Sequence, residues 1–152
     1  MTARFGRDWW PEGTRRPYAR LAAGLILSPA VIAALATAVA YAVAGSALPD
    51  AASVHAFAQQ AAAAALLAFL AFMATFGLGT IALLWAGRRR GALAFAAGGG
   101  IAGILFAGLT ALLFSAPLNL AQPLILGGMG ALSLLVVRWI AGIRELRAPA
   151  PQ

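Results

Sequence analysis

The chain has no cysteine and no lysine, one histidine and only 4 acidic residues among 152. Without thiols there is no disulfide framework, thiolate metal site or cysteine nucleophile. General acid–base catalysis needs titratable groups that converge, yet Asp8, Glu12, Asp50, His55 and Glu145 are scattered over the chain ends and one short connection. A lone imidazole falls short of a zinc ligand set. Ser46 and Ser53 stand near His55 in the chain, but nothing matches the G-x-S-x-G pattern of a serine hydrolase. The expectation is no catalytic residue, no metal and no cofactor.

Charge is scarce as well. Charged residues make up 10% and hydrophobic residues 62%, against about 25% and about 45–50% in soluble domains. The apolar residues come in blocks: Leu21 to Ala44, about Ala56 to Ala86, Gly91 to Phe114, and about Leu124 to Ile143. A hydrocarbon core of about 30 Å takes about 20 helical residues, so each block is long enough to span. The polar faces that a soluble helical bundle needs are missing. The predicted fold is all-α, a four-span transmembrane bundle with spans at about 21–44, 58–86, 91–114 and 122–143. A basic, aromatic interfacial segment (1–20) precedes this membrane domain (21–143), and a short tail (144–152) follows it.

What is present is arginine, placed unevenly. In "WAGRRRGALAF", Arg88, Arg89 and Arg90 form the whole turn between the second and third blocks. Moving them across a bilayer costs about 2.5–3.5 kcal/mol each on insertion scales, so they are expected on the cytoplasmic side. Alternation then puts both termini there too. The other basic residues agree: Arg4, Arg7, Arg15, Arg16 and Arg20 precede the first block, Arg138, Arg144 and Arg147 close the fourth, and the two remaining connections hold none. The expected location is a bacterial inner (cytoplasmic) membrane, multi-pass, with both termini inside. Arg138, about 9 Å deeper than Arg144 along a helix axis, is expected to snorkel.

The net charge of +7 points to anionic lipid headgroups as partners, each basic residue adding about 1 kcal/mol of attraction. Trp9, Trp10, Tyr18, Trp85 and Trp139 are placed to form an aromatic belt on the same side. No aromatic-interleaved basic groove of the kind that binds nucleic acid is present. "TRRPYAR" resembles a twin-arginine export signal, with Arg15 and Arg16 as the pair and Tyr18 where phenylalanine is usual. The apolar run after it exceeds the about 7–15 residues of a cleavable core, so an uncleaved first span is expected.

Lipid tails are as apolar as leucine, so spans associate where small residues let backbones approach. Gly99 and Gly103 have GxxxG spacing, extended by Ala107, with Gly100 and Gly108 near the same ridge; this face is expected to meet another helix, in the monomer or between copies. Weaker candidates are Ala64, Ala68, Ala71, Thr75 and Gly79 in the second span, Gly127 and Ala131 in the fourth, and Ala30, Ala34, Thr37 and Tyr41 in the first. Pro29 is expected to kink the first span. Asp50, His55, Gln59, Gln60, Asn119 and Gln122 fall toward the other membrane face, where they form either a shallow vestibule or ordinary polar turns.

No span holds a carboxylate, which coupled transporters normally need; small multidrug transporters, also four-helix proteins, need one in the first. The class expected is a non-catalytic accessory, assembly or scaffold component that works through helix packing with a protein partner or another copy. The alternative is a small uncoupled transporter or channel, an oligomer built around Thr37, Tyr41, Thr75, Thr80, Thr110 and Ser133.

Overall fold

The computed structural model describes residue 10 and residues 15–48, 50–114 and 119–143. Four helices in it are long and apolar enough to cross a membrane: α1 (Pro17–Ala47), α2 (Ala51–Ala86), α3 (Ala92–Leu113) and α4 (Ala121–Ala141). Among the described residues there is no strand. The all-helical, four-span architecture is therefore as expected, and the boundaries differ only at the ends.

Those differences have local causes. α1 starts at Pro17 instead of Leu21 because proline at the first helical position has its φ preset and needs no backbone donor there. α2 starts at Ala51, well before residue 58, because Asp50 caps it: Oδ1 accepts from Ser53 N at 2.8 Å and Oδ2 from Ser53 Oγ at 2.8 Å. His55, Gln59 and Gln60 are consequently helical, although too polar to count as span. At 36 residues, α2 is about 54 Å long, which exceeds the hydrocarbon thickness and calls for tilt or emergence into the headgroups. α1 continues helically through buried Pro29.

α2 is irregular in its middle, at a place that no local residue pattern marks. Met73–Gly77 form a π-helical turn, closed by Leu78 N bonding Met73 O. Residues before it pack mainly on α1, whereas the turn and the residues after it pack on α3. The inserted residue re-phases the helix, so one long rod serves two neighbours.

The helices run in alternating directions, and the neighbours are α2 with α1, α1 with α4, α4 with α3, and α3 with the second part of α2. The tightest seam joins α3 and α4. A Cβ built on Gly99 would lie 2.4 Å from Gly130 O, and one on Gly103 would lie 2.2 Å from Leu126 O; only glycine fits either place. α1 meets α4 at Gly24, where a Cβ would stand 3.0 Å from Val137 O. The seam between α2 and α3 is aromatic instead: Phe72 and Phe76 contact Phe106 edge-on, with centroids 5.7 and 6.0 Å apart. Leucines and other large side chains crowd the outside, Leu67, Leu93, Leu112 and Leu124 among them. Small residues inside and large apolar ones outside suit lipid as the solvent.

Several small-residue stripes face the other way from the expectation. Ala30 and Ala34 of α1 are exposed, and so are Ala64, Ala71, Thr75 and Gly79 of α2. The core positions are instead Leu21, Gly24, Ser28, Ile32, Ala33, Ala40 and Ala44 in α1, and Ala58, Phe69, Phe72 and Met73 in α2. Aromatic side chains, not small residues, fill the gap between α2 and α3.

Gly103→Ala is expected to destabilise the bundle by about 1–3 kcal/mol or more, because backbone must move to admit a methyl group. Leu105→Ala, on an outward face, should stay within about 0.5 kcal/mol. Thermal unfolding of both variants in one detergent checks the contrast.

Candidate functional site: a basic, aromatic rim

Every described arginine lies at one end of the bundle. Arg15, Arg16 and Arg20 stand at the start of α1, Arg88, Arg89 and Arg90 in the α2–α3 turn, and Arg138 in the last turn of α4. Contacts between elements tie these positions together. Tyr18 and Trp85 lie 6.3 Å apart, linking α1 to the end of α2, and Trp10 packs edge-on against Tyr18 at 5.8 Å. Arg138 Nε donates to Arg90 O at 2.9 Å, so this side chain folds across onto the neighbouring turn, a contact that snorkelling alone does not describe.

Two helix ends build the rim. α4 closes with the paired bonds of a Schellman motif, Ile143 N to Arg138 O at 3.1 Å and Gly142 N to Trp139 O at 3.0 Å. Gly142 takes φ 68 there, a left-handed conformation that glycine adopts without penalty. Trp10 Nε1 then donates to the last helical carbonyl, Ala141 O, at 2.7 Å. Trp10 is buried, whereas Trp139 faces outward as a belt residue would. α2 closes the same way, with Arg89 N bonding Leu84 O at 2.9 Å and Arg88 N bonding Trp85 O at 3.0 Å. Here, however, Arg88 holds the left-handed position, at φ 52.

A left-handed arginine costs roughly 1–2 kcal/mol. Arg88→Gly is therefore expected to raise stability by roughly 0.5–1 kcal/mol after glycine's greater freedom in the unfolded chain is counted. A thermal scan against wild type checks the sign.

Among the described residues the only carboxylate is Asp50, at the opposite end of the bundle. Arg90 Nη1 is shielded from solvent and has no hydrogen-bond partner among the described residues. Arg144, Trp9 and the acidic residues Asp8, Glu12 and Glu145 lie outside the described residues.

The glycine ridge is not part of this rim. Gly99 and Gly103 face α4 within the same chain, Ala107 is buried, Gly100 lies 3.7 Å from Gly127 O by its would-be Cβ, and Gly108 faces open space. Gly130 is a further member, its would-be Cβ 2.4 Å from Gly99 O, and a Cβ on Gly98 would stand 2.8 Å from Thr80 Cγ2. A four-residue spacing pattern centred on Gly127 and Ala131 passes over Gly130, and only its Gly99 partner reveals it.

Polar groups inside the spans are satisfied locally. Thr37, Thr75, Thr80 and Thr110 donate to carbonyls three or four residues back in their own helices. Buried Ser133 Oγ stands 3.3 Å from Ser28 Oγ and 3.5 Å from Met73 Sδ, joining three helices.

At the far end, Tyr41 OH bonds His55 Nδ1, and Gln59 Nε2 lies 2.9 Å from His55 Nε2. His55 is therefore an exposed helical residue with both ring nitrogens engaged, and not a turn residue. Asn119 Oδ1 accepts from Gln122 N at 3.0 Å at the start of α4. Among the described residues no hydrogen bond joins this pair to the Tyr41–His55 group, and no three His, Cys, Asp or Glu side chains form a metal-ligand set.

The backbone and side-chain bonds from Ser53 hold the Asp50 carboxyl below the ordinary carboxylate range. A depressed carboxylate stabilises the fold above its unfolded value, and that contribution is lost as pH falls through the folded one. The Ser53 amide resonance should therefore follow an acid titration with its midpoint below that of a free aspartate; a midpoint at or above it would contradict the cap.

Comparison with family models, with curated proteins and with solved structures returned no match.

Proposed function

We propose that the chain is a small polytopic protein of a bacterial inner membrane, its basic rim and both termini cytoplasmic. It acts without catalytic chemistry, as an accessory, assembly or scaffold component. The observation that carries this reading is the fate of the polar groups within the spans. Threonine hydroxyls close onto their own helices, and the Ser133 hydroxyl meets both Ser28 and Met73. The positions that a water-lined path or a reacting centre would use are thus spent on structure. Since α4 covers Gly99 and Gly103, contact with another chain falls to the outward apolar faces.

Purification in mild detergent followed by mass spectrometry tests the proposal. A foreign membrane subunit at constant stoichiometry is the expected result. Solute flux through liposomes holding the pure protein alone would replace it with the uncoupled-transporter reading.

A further inference from the structure

We infer that Tyr41 is a covalent modification site: its hydroxyl, paired with the His55 imidazole, takes one activated acyl group from a donor with a good leaving group, a thioester or an aryl ester. The site lies at the end of the bundle opposite the arginines, and its chemistry does not depend on the accessory role proposed above.

An activated nucleophile is recognised by a hydroxyl or thiol resting on a base, with the base turned by a third group. Tyr41 Oη bonds His55 Nδ1 across the α1–α2 pair, and Gln59 Nε2, one helical turn further along α2, lies 2.9 Å from His55 Nε2. All three side chains are exposed, so a donor reaches the phenol from solvent. The Gln59 amide sets which ring nitrogen carries the proton. With its NH2 toward the ring it donates to Nε2, and Nδ1 holds the proton; turned by half a revolution, its oxygen accepts from Nε2–H and leaves Nδ1 to accept from the Tyr41 hydroxyl. The second arrangement is the reactive one, and Gln59 is its positioning residue.

Other described hydroxyls at this end are committed to near neighbours. Ser46 Oγ donates to Val43 O at 2.8 Å, Ser53 Oγ to Asp50 Oδ2 at 2.8 Å, and Thr110 Oγ1 to Ala107 O at 2.9 Å. The chain has no cysteine or lysine to compete. Tyr18, the second of the 2 tyrosines, stands between Trp10 and Trp85 at the arginine end, far from the single imidazole.

In the step itself the bond from Tyr41 Oη to the acyl carbon forms, and the bond from that carbon to the leaving sulfur or oxygen breaks. The leaving atom takes the electron pair, and the phenol proton passes by way of His55 Nδ1 to the leaving group. No oxidant or reductant enters. One acylation per chain is a modification and not turnover.

p-Nitrophenyl acetate is the probe. The purified full-length chain in mild detergent is treated with it at neutral pH, quenched, digested and mapped by peptide mass spectrometry. Acetylation of Tyr41 is expected to outpace that of Tyr18 about tenfold or more, as general-base assistance provides. His55→Gln removes the base and should bring Tyr41 down to the Tyr18 rate. Gln59→Glu, which only accepts, should fix the proton on Nε2 and make Tyr41 react faster than in Gln59→Ala. Equal rates at the two tyrosines of the wild type, undiminished Tyr41 labelling in His55→Gln, or acetyl carried by His55 or a serine in place of Tyr41 overturns the inference. Should His55→Gln fail to fold, the two Gln59 variants decide: a faster glutamate variant supports the site, and an equal or slower one overturns it.

Discussion

The reluctance of guanidinium groups to enter hydrocarbon organises this protein from end to end. A spanning helix satisfies its backbone internally, but arginine has no such solution at mid-depth. The described arginines accordingly gather at one end, where α1 begins, α2 turns into α3, and α4 stops. The only described carboxylate and the only imidazole sit at the other. This polarity couples to folding because the rim residues also terminate helices: Arg88 occupies a position that usually belongs to glycine, and Arg138 stitches α4 to the α2–α3 turn.

Between the two ends, cohesion comes from contact instead of water exclusion. Glycines let α3 approach α4 until carbonyl oxygens stand where side chains would be, while phenylalanines fill the broader gap between α2 and α3. The π-helical turn allows both arrangements in one bundle, since it lets α2 leave α1 and join α3. Met73, at its start, also meets the buried Ser133, whose hydroxyl lies against Ser28 as well.

How much of this can be read in the residues depends on whether the signal is local. The four spans follow from block hydropathy. Gly99 and Gly103, four apart, present bare backbone on one face, and α4 lies against it. The small-residue stripes of α1 and α2 turn outward, since alanine is equally at home against a neighbour and against lipid and its spacing carries no direction. Gly24 and Gly130 become legible only with the helix opposite in view. The π-helical turn depends on which neighbour each half of α2 must reach, and Trp10 bonds a residue far along the chain, so neither leaves a local signature. The rim is an intermediate case: its charge is plain in "RRR", whereas the pairing of Arg138 with the Arg90 carbonyl needed the fold.

The central claim is that this arginine rim faces the cytoplasm, and the cysteine-free chain suits a direct measurement of it. Single cysteines introduced by Arg89→Cys and Ser53→Cys report the two ends separately in intact cells treated with a membrane-impermeant maleimide. The account predicts labelling of Ser53→Cys from outside and of Arg89→Cys only after the membrane is permeabilised. The reverse pattern, or equal access to both, would contradict it.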